Sequence, residues 1–235
     1  MGRNWAGCAA AIALAVLSST AARGAAAPCD DALHAFDAKY DERTDEEALT
    51  AARALAASCP GPSAVRAHSR VAMIFYARRD FPPAIAAFQR AIAAKPDPRM
   101  YMSLCGVYSE AGRKVDALET CRAGLKLAKA ADDGTPDRHA TVLDLGFNTA
   151  LVRIRLRSDC DDHTVYEMFE AYRQAHPDHA WVHELIGAWV WDCENDFAKG
   201  LALYEKSCAL GQKSACEQVE YTESCQCQTR QPDTE

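Results

Sequence analysis

Eleven cysteines are spread along this sequence of 235 residues, and their thiols could form disulfides, take part in redox exchange or bind a metal. A zinc site needs close clusters of cysteines, which this spread does not provide. Cys225 and Cys227 could form an exchange motif, but no helix is expected to begin after them and activate a thiol. The cysteine pattern therefore favours structural disulfides.

Histidines form the other group that could do chemistry. His179 and His183 are four residues apart and would share one face of a helix, with His176 just before them and His163 and Glu184 as further candidate ligands. The order His-Glu-x-x-His of a catalytic zinc helix is absent, because Ala, Trp and Val separate the two histidines. Surface or packing histidines are the favoured interpretation, so we predict neither a metal nor a cofactor.

Motifs of other active sites are missing from the sequence. It contains no Gly-x-Ser-x-Gly turn for a serine nucleophile and no glycine-rich phosphate loop before a Lys-Ser/Thr pair. Cys160 with His163 could serve as a thiol site, which a disulfide at Cys160 would exclude. No catalytic residue is predicted.

The start of the chain predicts export. Arg3 precedes an almost wholly apolar run from Trp5 to Leu17, and small residues follow it. The run is shorter than the roughly 20 residues that span a bilayer, so residues 1–26 are interpreted as a signal peptide cut after Ala26. A retained membrane anchor is the alternative. The predicted location is the periplasm or the exterior of a bacterial cell.

Removal of residues 1–26 would change the cysteine count and the charge. Ten cysteines remain, an even number that suits disulfides in an oxidising compartment. Without Arg3 and Arg23, 24 basic residues stand against 33 acidic ones, a formal charge of −9. This charge disfavours nucleic acid and anionic membrane surfaces as partners.

The residues that could do chemistry are expected to lie on helices. Alanine is abundant, glycine and proline stand at breaks, and no segment shows the alternation of a strand. The pattern predicts an all-α chain whose consecutive helices pack antiparallel. The predicted helices are Asp30–Tyr40, Asp45–Ser58, Ser63–Arg79, Phe81–Ala94, Asp97–Ala111, Arg113–Ala131, Arg138–Ser158, Val165–Ala175, Ala180–Cys193, Phe197–Leu210 and Ser214–Ser224.

One pattern recurs in these helices. A small residue is followed four positions later by a bulky one and three positions after that by another small one, which places all three on one helix face. The first two copies are 33 residues apart, a period typical of helical-hairpin solenoids. The copies are Ala84, Phe88 and Ala91; Ala117, Cys121 and Gly124; and Gly200, Tyr204 and Ser207.

Residues 65–98 resemble the unit of tetratricopeptide-repeat (TPR) proteins. Val71 and Ala72 stand where that family has Leu-Gly, Phe75 where it has an aromatic residue, and Pro96 where it has a proline. Further units match less closely. In the second unit Cys105 and Cys121 replace core residues of the family pattern, and in the third an insertion follows Leu145 and Gly146. The fourth unit matches through Ala188 and Trp191. The N-terminal hairpin matches loosely through Ala48 and Pro60.

The last unit is also similar to Sel1-like repeats of secreted, cysteine-rich bacterial proteins. The similar segment runs from Tyr204 through Cys208 to Gly211 and continues with Ser214 to Cys216. Together the resemblances imply a right-handed superhelical solenoid of antiparallel helix pairs, stapled by disulfides. The predicted repeat domain covers residues 27–224, with units at about 29–62, 65–98, 98–131, 138–177 and 181–214, a capping helix at 214–224 and a polar tail at 225–235.

The cysteines are expected to pair as follows. Helix-end geometry favours Cys29 with Cys59 and Cys160 with Cys193, and Cys105 faces Cys121 within one hairpin. The Sel1-like resemblance implies a fourth bridge, because seven residues separate Cys208 from Cys216 as in that family. Cys225 and Cys227 are left without an assigned partner.

The TPR resemblance also implies where a partner would bind. In that family, exposed residues on the first helix of each pair line a concave face. Arginine, methionine and aromatic residues on such a face suit contact with a peptide or a protein. The candidates are Arg66, Ser69, Arg70, Met73, Tyr76, Arg99, Met102, Ser109 and Trp189.

The sequence thus predicts an exported, non-catalytic repeat protein that binds a protein or peptide. One alternative is a cell-envelope hydrolase of the cysteine-rich Sel1-like type that acts on cell-wall material. Another is a purely structural repeat without a bound ligand. Fold alone does not decide between these functions.

Overall fold

Helices account for most of the backbone that the structure describes. The computed structural model describes residues 29–155, 160 and 163–229, and among them there is no strand. The predicted all-α architecture is confirmed. The helices are α1 (residues 29–38), α2 (Asp45–Ser58), α3 (Gly61–Ala77), α4 (Phe81–Ala94), α5 (Pro98–Glu110), α6 (Lys114–Ala131), α7 (Pro136–Arg155), α8 (Thr164–Ala175), α9 (Ala180–Trp189), α10 (Phe197–Ala209) and α11 (Lys213–Thr229).

Some sequence predictions fall outside these residues. The signal segment at 1–26 does, as do the end of the long helix predicted to reach Ser158 and most of the insertion that follows it. The described chain forms two compact units, divided between Thr120 and Cys121 within α6. In the first unit α2 packs on α3, α3 on α4 and α4 on α5, and in the second unit α7 to α11 also pack in consecutive pairs.

Capping side chains and a turn glycine explain where several helices begin and end. Thr44 caps α2 with a capping box: its hydroxyl accepts from the Glu47 N–H, while the Glu47 carboxylate accepts from the Thr44 N–H. Asp97 caps α5 by accepting a hydrogen bond from the Arg99 N–H at 2.8 Å. Gly112, in the turn between α5 and α6, has a φ of 75°, which glycine adopts without strain.

The small–bulky–small pattern forms part of the core of the first unit. Ala84, Phe88 and Ala91 on α4 are completely buried. Helix α4 packs on α3, where Ala72 and Ile74 are also buried, and the small alanines on either side of Phe88 allow a neighbouring helix to come close. The pattern therefore positions α3, the helix that carries most of the candidate binding residues.

In the second unit the same pattern brings two backbones close together. A Cβ added at Gly200 of α10 would lie 3.2 Å from the Gly187 carbonyl oxygen of α9 and 3.1 Å from the Trp191 ring. Ser207, the other small member of the pattern, is fully buried and donates a hydrogen bond to the Ala180 carbonyl at 2.9 Å. Helices α9 and α10 thus approach closely because both small positions face α9.

Two helix ends differ from the prediction by four or five residues, whereas the other ends that can be compared agree within about two. The predicted helix Ala180–Cys193 ends as an α-helix at Trp189 and continues as a π-helical turn, Val190–Glu194, before Asn195 takes a left-handed conformation. Helix α11 reaches Thr229, whereas the sequence predicted a polar tail from Cys225. No glycine or proline interrupts residues 213–229, so the local sequence offers nothing that would stop the helix.

Disulfides join helix ends within each unit. In the first unit Cys29 is bonded to Cys59, with the two Cα atoms 5.6 Å apart. In the second, Cys160 is bonded to Cys193 and Cys208 to Cys216, at Cα separations of 5.1 Å and 4.7 Å. These pairs coincide with those expected from the sequence, and their separations are ordinary for disulfides.

The remaining predicted pair straddles the unit boundary. Cys105 and Cys121 are both disulfide-bonded, and both side chains are buried. Their pairing with each other stays a prediction, as does the fate of Cys225 and Cys227, whose side chains lie outside the description. Among the described residues, no helix combines the length and the apolar character needed to cross a bilayer.

Candidate peptide-binding surface

Helices α1 and α3 are joined by a chain of charged side chains. Asp37 of α1 accepts a hydrogen bond from Arg70 of α3, at 2.8 Å from Nη2 to Oδ2, and its Oδ1 forms an ion pair with the Arg70 Nε at 2.8 Å. Arg66 lies one turn earlier on α3 and reaches both Asp37, at 3.7 Å, and Asp30, at 3.5 Å. These side chains are between 30% and 49% exposed, so each ion pair stabilises the fold only slightly. Their main effect is to hold two guanidinium groups in place.

The held arginines border a depression of about 350 Å³ between α3 and the start of α5. Arg66, Ser69 and Arg70 form its wall on α3, and Arg99 of α5 lies on the other side. Apolar atoms of proline, valine and methionine complete the lining beside a lysine. The remaining lining residues are Pro62, Val65, Lys95, Asp97 and Met100.

A second depression of about 350 Å³ adjoins the first and shares Arg70 with it. It lies between α3 and the end of α1. Met73 is 44% exposed here, which is unusual for a large apolar side chain and leaves a hydrophobic surface beside Arg70. Asp37, Tyr40, Asp41 and Ala77 complete the lining. We call the surface formed by these two depressions the front face.

Tyr76 extends the front face toward the end of α5. Its hydroxyl donates a hydrogen bond to the Glu110 carboxylate. This bond raises the pKa of the Tyr76 phenol, and burial and the negative charge of Glu110 act in the same direction. The phenol therefore remains neutral over the physiological range and acts as a donor that ties α3 to α5.

The structure brings together five of the nine predicted contact residues: Arg66, Ser69, Arg70, Met73 and Arg99 line the two depressions. Tyr76 lies on the same helix as most of them. Met102 and Ser109 of α5 are half-buried and line neither depression.

Trp189 is a correction to the predicted surface. Only 4% of it is exposed, and it belongs to the core of the second unit with Val182, Ile186 and Val190. Trp191, two residues further along the chain, is half-buried against Phe197 and Tyr204. Trp189 lies in the last turn of α9 and points into the core, so it cannot meet a partner on the surface.

Sequence reasoning missed the acidic partners of the arginines. Asp37 precedes Arg70 by 33 residues, and Asp30 precedes Ser63, which donates to it at 2.9 Å, by the same interval. Comparison of residues one repeat apart would have revealed both pairs, because stacked repeats place equivalent positions side by side. Lys95 and Asp97 were also missed, since they lie in the turn before α5.

The candidate zinc histidines have other roles. His183 is 3% exposed, and its Nε2 lies 2.8 Å from the Pro177 carbonyl oxygen. The His179 ring packs edge-on against Tyr172 and Phe147. Within the described residues, no three His, Cys, Asp or Glu side chains are grouped as metal ligands. The two histidines are packing residues of the second unit.

Solved structures share this fold at low sequence identity. The chain is similar to YrrB, a TPR protein with an unusual peptide-binding site (TM-score 0.60, 16% identity, 80% of this chain and 90% of that one). It is also similar to PilF of Pseudomonas aeruginosa (TM-score 0.62, 15% identity, 80% and 78%) and to MamA of Desulfovibrio magneticus RS-1 (TM-score 0.58, 14% identity, 77% and 94%). No protein-family model and no curated protein matches the sequence. The fold is therefore the TPR fold, as the sequence predicted.

Proposed function

We propose that this chain binds a peptide or protein segment across the front face and catalyses no reaction. The observation that carries the proposal is the adjacency of the two depressions, which share Arg70 and offer cationic and apolar contacts side by side. Arginine beside exposed methionine is typical of surfaces that bind proteins. YrrB, which has the same fold, is a TPR protein with a peptide-binding site.

The charges of the front face favour a particular kind of peptide. Arg66 and Arg70 are already engaged by Asp30 and Asp37, whereas Lys95 and Arg99 form no ion pair among the described residues. A peptide with a carboxylate near Arg99 and an apolar side chain over Met73 would meet complementary groups at both ends. We expect such a peptide to bind in an extended form along α3.

Selection from a random peptide library on the immobilised chain, followed by calorimetric titration of the selected peptides, tests the proposal. Arg99→Glu should weaken binding about tenfold or more, because it replaces an attraction to the peptide carboxylate by a repulsion. Met73→Ala should weaken it less. Lys126→Glu, an exposed residue of α6 that lines neither depression, is the matched control and should leave binding unchanged.

Failure to select any peptide, or equal affinity for wild type and Arg99→Glu, would refute the proposal. Turnover of cell-wall material by the purified chain, lost on a single substitution, would instead support the hydrolase alternative. No observation among the described residues favours that alternative over binding.

We further propose that the chain works in the periplasm or outside the cell after removal of residues 1–26. Disulfides persist in oxidising compartments, and the described part of the chain contains three with defined partners and two further bonded cysteines. The apolar run after Arg3 supplies the export signal.

A further inference from the structure

A groove of about 460 Å³ lies between α2 and α4 in the first unit, with α3 beneath it. Its floor is apolar and contains alanines from both flanking helices, together with Val71 and Phe75 of α3. The lining residues are Arg53, Ala56, Ala57, His68, Val71, Phe75, Pro83, Ala86, Ala87 and Arg90. We call this surface the back groove. Its volume is within the range of ordinary ligand sites.

The back groove is separate from the front face. Successive residues of an α-helix are about 100° apart around its axis, so His68 lies roughly 160° from Arg70. Val71 and Phe75 lie on the same side of α3 as His68 and line the back groove. Arg66 and Met73 lie on the same side as Arg70 and line the front face. A ligand on one side of α3 therefore cannot touch the other.

The two permanently charged side chains that line the back groove are arginines. Arg53 stands on the α2 wall, Arg90 on the α4 wall and His68 on α3, and no acidic side chain lines the groove. Among the described residues, neither arginine has a carboxylate partner, although the Arg53 guanidinium lies 5.3 Å from the centre of the Phe75 ring. Two arginines on opposite walls of an apolar groove are complementary to a ligand with an apolar middle and a negative charge along each side of it.

His68 adds to this complementarity. Burial lowers the pKa of its imidazole, and the positive charge of Arg90 lowers it further. A carboxylate held in the groove would oppose both effects, because it would stabilise the protonated ring. Occupation by an anion would therefore shift the pKa of the His68 imidazole back upward.

We infer that the back groove is a second binding site, which takes an acidic amphipathic helix of a partner protein. The small side chains of Ala56, Ala57, Ala86 and Ala87 let a helix backbone come close, and Phe75 and Val71 meet its apolar stripe. Arg53 and Arg90 lie on opposite walls, where carboxylates on both edges of that stripe would pair with them. This mode of binding does not depend on the front face.

Fluorescence anisotropy with a dye-labelled synthetic helix tests this inference. The probe carries leucines at alternating three- and four-residue spacing with glutamates on both sides, and its counterpart carries lysines in place of the glutamates. The full-length chain should bind the acidic peptide and not the basic one. The affinity should fall with increasing salt, because the contacts at the walls are partly exposed ion pairs.

Charge reversal identifies the site. The double substitution Arg53→Glu and Arg90→Glu should weaken binding of the acidic peptide by about a hundredfold, taken as tenfold for each reversed charge. Lys126→Glu is the matched control, because it reverses an exposed charge that lines neither the front face nor the back groove, and it should leave the affinity unchanged. The double substitution to glutamine, checked by circular dichroism, separates lost charge from lost folding and should weaken binding by a smaller factor.

Three results would overturn the inference: no binding of the acidic peptide, equal binding of both peptides, or an affinity that the Arg53 and Arg90 substitutions do not change. Binding of phosphatidylglycerol vesicles without binding of the peptide would assign the groove to lipid instead. Loss of front-face binding in Arg99→Glu has no bearing on these outcomes, so the two proposals can fail independently.

Discussion

Asp37 governs how the two arginines of the front face are presented. Its Oδ2 accepts a hydrogen bond from the Arg70 Nη2, its Oδ1 forms an ion pair with the Arg70 Nε, and it also attracts Arg66. Without this carboxylate Arg70 would lose both contacts and Arg66 would keep only its ion pair with Asp30, so a ligand would have to order the Arg70 guanidinium at an entropic cost. The acidic residue is therefore as much a part of the candidate site as the arginines, even though its charge has the opposite sign.

At the start of α2, the capping box links stability to pH. Hydrogen bonds from the Thr44 backbone and then from its hydroxyl lower the pKa of the Glu47 carboxyl. A carboxyl whose pKa is lowered by folding stabilises the folded state above its unfolded pKa. That contribution is lost as the pH falls through the lower, folded-state pKa.

Thr44→Ala should therefore destabilise the chain by about 1 kcal/mol at neutral pH, the usual effect of losing an N-cap. The difference from wild type should shrink as the pH falls from about 6 to about 3, since protonated Glu47 no longer benefits from Thr44. Thermal unfolding of both proteins across this range measures the effect. Thr141→Ala, whose hydroxyl donates only to the Asp137 carbonyl within α7, is the control. A difference independent of pH would contradict the role of Glu47.

At the scale of the helix, small residues decide which helices approach closely. Gly200 and Gly187 meet where α9 and α10 cross, and each would place an added Cβ within 3.3 Å of atoms of the other helix or its neighbours. Gly106 in α5 has no atom within 4 Å of the position of an added Cβ. Both Gly106 and Gly200 lie within helices, so they differ chiefly in packing.

The two glycines should respond in opposite ways to alanine. Gly106→Ala should stabilise the chain by about 1 kcal/mol, because alanine has the higher helix propensity and meets no neighbour. Gly200→Ala gains the same propensity but must push α9 away, and a net loss of about 1–2 kcal/mol is expected from overpacking. Denaturant unfolding at constant pH compares the two. Stabilisation by Gly200→Ala would show that the contact between α9 and α10 can relax.

At the scale of the whole molecule, disulfides add stability to that supplied by burial of the hydrophobic core. Each closed loop restricts the unfolded chain, and the bridge from Cys160 to Cys193 spans 33 residues whereas that from Cys208 to Cys216 spans 8. Helical repeats bury little apolar surface alone, so such cross-links supply stability that a single repeat lacks. The two compact units each contain at least one bridge of their own.

A peptide map without reducing agent should recover four bridges: Cys29–Cys59, Cys105–Cys121, Cys160–Cys193 and Cys208–Cys216. We also expect the exported protein to begin at Ala27, with Cys8 removed. Mass spectrometry of protein purified from the periplasm or medium of a bacterial host checks both. An intact N-terminus would favour the retained membrane anchor. Free thiols at Cys105 and Cys121 would contradict the predicted disulfide between them.

Periodicity allowed most of the helices to be predicted, because residues such as Ala84, Phe88 and Ala91 can be buried together only on one face of a helix. Arg66, Arg70 and Arg99 could be chosen as surface candidates by analogy with the TPR family. Their neighbours could not, since Asp37 and Lys95 have no unusual local pattern and become part of the surface only when α1, α3 and α5 lie side by side. Trp189 and Trp191 show the same limit: two tryptophans two residues apart cannot be ranked by burial without knowing how the last turn of α9 ends.

The sequence by itself determined the fold class, the repeat pattern, the positions of most helix ends and the pairs of cysteines that could meet. These properties depend on spacing along the chain, which local hydrogen bonding and the helical period convert directly into structure. Only the tertiary structure decided which side chains share a surface: the arginines held by Asp37 and Asp30 in front of α3, and behind it Arg53 and Arg90, for which the described part of the chain supplies no carboxylate. The physical reason is that charge pairing and groove shape arise between helices, where residues distant in sequence are brought within a few ångströms by packing.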